Sequence, residues 1–346
     1  MMAALRNRRR RPFQTKGFSL MVSLVMALGI PMRANAEAYV VRLAYQYGIP
    51  YLPLLVMKKD KLIEQEAKKA GLGQLNVEWA QFGSGAAMNT ALLAGQIDVV
   101  AGGIAPLLKI WDKSKGQFDV KGMASLGSIP MFLNTIDPKV KSIKDFTKKD
   151  RIALPAVGVS IQALVLEMAS AQAFGKANFA KLDGITVSMK HPDAMAALLS
   201  HGTEITAHFA NPPFQEMELA GKGVHKVLSS YDVLGPSTLD VVYSVAKFHK
   251  ESPKIYKAVF AALGRAMRFI NADKRAAAGL YVQETHSKLS EDFVYKIISN
   301  PEFVFTTTPQ GVMKYAEFMH RTGGIESMPA SWKNVFFPEV RGQHGS

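Results

Sequence analysis

Residues 79–106 read WAQFGSGAAMNTALLAGQIDVVAGGIAP, and the parsing of that stretch decides the fold. It predicts a strand from Leu75 to Phe82, a small-residue loop at Gly83-Ser84-Gly85 and a short helix from Ala86 to Ala94. A glycine turn at Gly95, a strand from Ile97 to Ala101 and a second loop at Gly102-Gly103 follow. Two small-residue loops then stand at the C-terminal ends of two parallel strands, the place where open α/β sheets bind ligands. Ser84 is positioned as an N-cap, with unpaired N–H groups and the positive end of the helix dipole behind it for an anion or a polar head group.

The chain on either side continues the alternation. Before the stretch, Val40 to Ala44 predicts a strand ending in Tyr45-Gln46-Tyr47-Gly48-Ile49-Pro50, and a helix follows with Pro53 in its first turn and Gly71 or Gly73 at its close. After it come a helix from Pro106 to Lys113 and a strand from Phe118 to Leu126. Strands alternating with helices predict a mostly parallel sheet covered by helices. Ser128-Ile129-Pro130 interrupts the pattern, and Met131 to Ile136 is extended.

A second α/β unit opens at Arg151. Its strand Ile152–Ala156 leads into Val157-Gly158-Val159-Ser160, where Gly158 permits close backbone approach and Ser160 can cap the next helix. A strand over Ile185–Lys190, a helix opened by His191-Pro192-Asp193 and a strand over Glu204–Phe209 come next. That last strand runs into Ala210-Asn211-Pro212-Pro213-Phe214, so His208, Phe209 and Asn211 offer an imidazole, an aromatic ring and an amide at a strand end. Ala91-Leu92-Leu93 with Gly95 and Ile97 loosely matches Ala197-Leu198-Leu199 with Gly202 and Ile205. The two units thus read as lobes of one plan. Leu239 to Ala246 predicts a strand returning to the first lobe, and the chain beyond Pro253 is helical in pattern. The expected division is lobe 1 over 38–130 and 247–341 and lobe 2 over 131–246, with two crossings forming a hinge.

Bulk composition fits this. The 346 residues are 48% hydrophobic and 20% charged, as expected of a globular chain with room for two domains. Five arginines between Arg6 and Arg11 precede an uncharged apolar run, Phe18 to Ile30, and Ala34-Asn35-Ala36 follows. This is the pattern of a secretory signal peptide over 1–36, cleaved after Ala36. Arg10-Arg11-Pro12-Phe13 also resembles the start of a twin-arginine export motif, with Gln14 and Thr15 departing from it. Without residues 1–36 the formal charge falls from +14 to +7. The absence of cysteine excludes disulfides, thiolate nucleophiles and cysteine metal sites.

Motifs for chemistry are missing. Gly83-Ser84-Gly85-Ala86-Ala87-Met88 approaches a dinucleotide fingerprint, but Met88 occupies the third glycine position and the next acid, Asp98, comes too early. No phosphate-binding G-x-x-x-x-G-K-[ST] loop, no G-x-S-x-G elbow and no H-E-x-x-H helix occurs. No catalytic residue, metal site or cofactor is expected.

Phe82-Gly83-Ser84-Gly85, Leu92-Leu93-Ala94-Gly95-Gln96-Ile97-Asp98, and Ser142-Ile143-Lys144-Asp145-Phe146 followed by Arg151-Ile152-Ala153 resemble the solute-binding proteins of ATP-driven importers. The likeness is to the nitrate/sulfonate/taurine group and the related thiamine-pyrimidine precursor binders. The resemblance implies a type 2 periplasmic-binding-protein fold, a monomer in the periplasm that holds a small ligand between two lobes and delivers it to a membrane permease of the ABC class, with no nucleic acid as partner. By position it places the ligand site at Gln46, Tyr47, Ser84, Gly85, Gly103, Ser128, Gly158, Val159, Ser160, His208, Phe209 and Asn211. Two helix N-termini with Tyr45, Tyr47, Phe82 and Phe209 nearby suit a small organic anion, sulfonate- or carboxylate-like. Two alternatives share the fold. One is a pyrimidine synthase of thiamine biosynthesis, although those enzymes carry a cysteine-rich motif that this chain lacks; the other is a ligand-binding sensory adaptor.

Overall fold

The computed structural model describes residues 39–202 and 204–346. The export segment expected over 1–36 lies outside the described residues. Ten strands form two five-stranded sheets. In chain order they are β1 (Tyr39–Tyr45), β2 (Leu75–Gln81), β3 (Val99–Gly103), β4 (Lys121–Ser125), β5 (Phe132–Thr135), β6 (Ile152–Leu154), β7 (Thr186–Ser188), β8 (Ala207–Ala210), β9 (His225–Ser229) and β10 (Asp240–Ser244).

The first sheet has the order β2-β1-β3-β10-β4 and the second β7-β6-β8-β5-β9. These are the same order. In each sheet four strands run in one direction, and the fifth, arriving from the other sheet, runs antiparallel between the third and the last. Each sheet is therefore mostly parallel in strand direction, as the strand–helix alternation predicts, with one reversed strand that makes two of its four pairings antiparallel. The reversal has a consequence for the site. Asp240, the first residue of β10, is in register with Gly103, the last residue of β3, and Phe132 of β5 with Ala210 of β8. The incoming strands thus begin at the edge where the parallel strands end.

The central strands are buried along their whole length, as runs such as VVAGG and DVVYS require when both faces are covered. The helix Pro253–Ala272 presents an apolar stripe of Ile255, Val259, Leu263, Met267 and Ile270 to the first lobe. Its Arg265 meets Glu66 of the helix Leu62–Lys69 at 2.7 Å. At the C-terminal tail, the Phe337 N–H donates to the carbonyl of Gly122 in β4 at 2.8 Å. No helix among the described residues is long and apolar enough to cross a membrane.

Two segments connect the sheets, 126–131 and 235–239. They run side by side: Leu239 N–H donates to the Gly127 carbonyl at 3.1 Å, Leu126 N–H to the Asp240 carbonyl at 2.8 Å, and Ser128 bridges to Thr238. The second crossing comes before β10, not after it, so the boundary falls ahead of the expected position at 246. The Ser128 hydroxyl is 2.7 Å from that of Tyr231 and donates to the Ser237 carbonyl at 3.0 Å.

Candidate ligand cleft

Between the sheets lies a cavity of about 20 Å³, room for about one water. Its wall from the first lobe carries Gln46, Tyr51, Gly85, Gly103, Pro106, Leu239 and Asp240. The second lobe contributes Pro155, Ser160, Ile161, Gln162, His191 and Asn211. A groove of about 440 Å³ adjoins it, sharing Gln46 and Tyr51 and adding Tyr45, Tyr47, Phe214 and Tyr281. Together they fall in the size range of small-molecule sites.

The lobes meet closely around this space. Ile49 N–H donates to the Pro212 carbonyl at 2.8 Å, and Asn211 Nδ2 to the Tyr47 carbonyl at 3.2 Å. Gly48 allows the first of these contacts. Its φ is +117°, and a Cβ there would stand 2.6 Å from the Pro212 oxygen, so a side chain is excluded by conformation and by space. On the far side Lys109 Nζ donates to the Gly158 carbonyl. Burial of the Lys109 ammonium lowers its pKa.

Helix starts converge on the cavity. Ser84 caps the helix Gly85–Leu93 by accepting from Ala87 N–H at 3.3 Å, and Ser160 caps Ile161–Phe174 by accepting from Ala163 N–H at 3.2 Å. The helix Ile104–Lys113 begins after Gly103, and His191 is the first residue of His191–Leu199. By helix geometry the first N–H groups have no acceptor within their own helix, and Gly85, Ile161 and Gln162, all in first turns, line the cavity.

Each lobe also contributes a buried polar file. In lobe 1 the Gln46 amide donates to Tyr51 Oη at 3.0 Å, and the Tyr51 hydroxyl donates to Asp240 Oδ1 at 2.8 Å. Burial pushes the Asp240 carboxyl up to about 7 and holds the Tyr51 hydroxyl far above its usual range. In lobe 2 the file runs Gln162, His191, His208, Glu218: Gln162 Nε2 is 3.3 Å from His191 Nε2, and His191 Nδ1 is 2.8 Å from His208 Nε2. His208 Nδ1 is 2.5 Å from Glu218 Oε1, and Asn134 Nδ2 donates to Glu218 Oε2 at 2.9 Å. Burial, with His208 alongside, holds the His191 imidazole well below its ordinary pKa. The ring of His191 also stacks on Phe214, with centroids 5.7 Å apart.

Of the residues expected at the site, Gln46, Gly85, Gly103, Ser160 and Asn211 come together on the cavity wall. Tyr47 lines the groove beside it. Ser84 stands behind Gly85 as a cap. Gly158 and Val159 line a different cavity of about 130 Å³ with Lys109 and Glu167, where burial, with Asp183 nearby, raises the Glu167 carboxyl to about 7. Ser128 belongs to the hinge. His208 and Phe209 lie inside lobe 2, fully buried, because β8 has both faces covered; His208 reaches the cavity only through His191. Tyr51, Gln162, His191 and Asp240 were not anticipated. The signals available were a tyrosine one turn beyond Gln46, a polar residue and a histidine at two helix starts, and an acid opening the returning strand.

The match to known proteins follows the same architecture. The sequence matches the model of the NMT1-like family over residues 34–282, and it matches none of the curated proteins. Among solved structures it is similar to the alkanesulfonate-binding protein SsuA from Xanthomonas axonopodis pv. citri bound to MOPS. The identity is 18% and the TM-score 0.67, covering 87% of this chain and 97% of that one. The periplasmic aliphatic sulphonate binding protein SsuA from Escherichia coli matches at 16% identity and TM-score 0.63, over 89% and 100%. The periplasmic nitrate-binding protein NrtA from Synechocystis matches at 14% and 0.58, over 75% and 70%. At these identities the likeness establishes the fold, which is that of the periplasmic binding proteins. With two sheets of one topology, a two-segment hinge and a family match over most of its length, the chain belongs to the NMT1-like family.

Proposed function

We propose that this protein is the extracytoplasmic solute-binding component of an ABC importer, exported by its N-terminal segment, which captures a small organic anion between its lobes and hands it to a membrane permease. The observation that carries the reading is the cavity walled by residues of both lobes and spanned by two adjacent hinge segments. A ligand that touches both lobes favours the closed arrangement through contacts that the open one cannot make. The cavity is smaller than an organic solute, so binding requires the lobes to part and close again. The helix starts at Gly85 and Ile161 are suited to an anionic group, because each brings unpaired N–H donors and the positive end of a dipole to one place. Similar structures carry sulfonate- and nitrate-binding proteins. The work of the protein in this reading is binding, not catalysis.

The test is a thermal-shift screen of the purified protein against sulfonates, carboxylates, nitrate and pyrimidine precursors. A specific ligand at about 100 times its Kd stabilises the protein by about 2.7 kcal/mol, a rise of several degrees in Tm. A broad panel without a single concentration-dependent shift removes the proposal.

A further inference from the structure

The segment 137–151, between β5 and β6, reads DPKVKSIKDFTKKDR and carries six cations against three acids. Val140, Ile143 and Phe146 are buried, three residues apart, and anchor it to lobe 2. Lys139, Lys141, Lys144, Lys148, Lys149 and Arg151 are left exposed. The acids do not neutralise them pair by pair, because each is turned to the local backbone. Asp137 accepts from Lys139 N–H at 2.8 Å, Asp145 from the N–H groups of Lys141 and Ser142 at 3.0 and 2.8 Å, and Asp150 from Thr147 N–H at 2.7 Å. Among the described residues none of the six cations forms an ion pair, whereas Lys59 and Lys69 of lobe 1 meet Glu284 and Glu66.

Strand register fixes where this face lies. Thr135, where β5 ends, and Ile152, where β6 begins, both pair with Ala207, the first residue of β8. The cleft is at the other edge of the sheet, where β8 ends at Ala210 opposite Phe132. The lysines therefore stand at the pole of lobe 2 away from the cleft.

The face offers spread point charges. Five of the six are ammonium groups, and the one guanidinium, Arg151, turns Nη1 to the carbonyls of Lys148 and Asp150 at 2.9 and 2.7 Å. A discrete phosphate or carboxylate is best held by a free guanidinium fork, while a diffuse anionic layer is held by clustered ammonium groups. No large apolar side chain is exposed in the segment, so nothing there anchors by insertion.

We propose that this lysine face rests on an anionic lipid surface and holds the protein there reversibly, by charge alone, with the cleft turned away. The inference goes beyond the solute-binding reading and is independent of the ligand in the cleft.

Co-sedimentation of the full chain with vesicles of phosphatidylcholine, alone or with about one-third phosphatidylglycerol, measures the binding. Lysine acetylation read by mass spectrometry locates it, and separates this face from the arginine-rich segment before residue 12, which also attracts anionic lipid. The protein should bind the phosphatidylglycerol vesicles at low salt and release them in about 1 M salt, where the Debye length is about 3 Å. Lys141, Lys144, Lys148 and Lys149 should be protected from acetylation by those vesicles and not by the neutral ones. The hydrogen bonds of these four residues use backbone atoms, so the variant with all four changed to Gln should keep its Tm. At about fivefold per lysine, it should bind at least about tenfold more weakly. Lysines that stay equally reactive with both kinds of vesicle overturn the inference, and so does a folded variant that keeps the parent's affinity. Protection by a short DNA duplex but not by the vesicles would assign the face to a polyanion and overturn it as well.

Discussion

The two lobes share one strand order but treat a buried carboxyl differently. In lobe 2, Glu218 is enclosed with two N–H donors, Asn134 and His208, and its surroundings satisfy it from within. In lobe 1, Asp240 receives one hydroxyl, from Tyr51, and stands at the cavity wall. Burial without a countercharge is unfavourable to a carboxylate. One lobe therefore surrounds its buried carboxyl with two N–H donors, and the other gives its own a single hydroxyl at the cavity wall.

The contrast can be broken first in lobe 2. Glu218→Ala leaves the His208 and Asn134 N–H groups buried without an acceptor, and should destabilise the protein by about 3–5 kcal/mol, the range for removing one member of a buried pair. Urea unfolding measures it; a loss below about 1 kcal/mol would show that lobe 2 does not depend on the file.

Asp240 should behave in the opposite sense. Its folded pKa of about 7 lies above its ordinary value of 3.8, so the unfolded chain releases the proton first as pH rises. Stability is fully present below about pH 4, falls by at most about 4 kcal/mol on the way to pH 7, and is level above that. Asp240→Asn should remove this contribution and leave the variant more stable than the parent at pH 8 but not at pH 4. Glu167 and Glu216, also raised to about 7 by burial, slope the same way in both proteins and cancel in the difference. A parent-minus-variant stability that is flat with pH contradicts the assignment.

The smallest expected effect sharpens what the lobes have in common. Ser84→Ala and Ser160→Ala each delete one cap bond and should each cost about 1 kcal/mol. The double variant, still folded, should bind an anionic ligand more weakly, because both helix starts lose their order. Unchanged affinity in that variant, measured by titration, would remove the helix starts from the binding model.

Much of the fold was legible before any coordinates. The caps at Ser84 and Ser160 occur where the small-residue loops placed them, and the strands of the opening stretch differ from the expected limits by two residues or fewer at each end. The glycine pair at 102 and 103 was read as a loop and ends β3 instead. Caps and helical periodicity depend on neighbours within a few residues, and such neighbours are visible in a sequence. The site was less legible. His208 and Phe209 were expected at the cleft, but β8 is buried on both faces, so period-two alternation cannot say which residue looks toward a ligand. Asp240 read as the start of a strand, and nothing local links it to Tyr51, a residue 189 positions earlier.

The sequence by itself determined most of the elements, though not β9, together with the two-lobed plan and the absence of cysteine chemistry, since these follow from local propensity, loop composition and residue type. Tertiary structure alone decided which polar groups face one another. Strand order brought Asp240 level with Gly103, and lobe closure set Asn211 against Tyr47. A buried file set His191 between His208 and Gln162. Those are long-range juxtapositions, fixed by packing between elements far apart in the chain, and packing leaves no periodic trace along a single sequence.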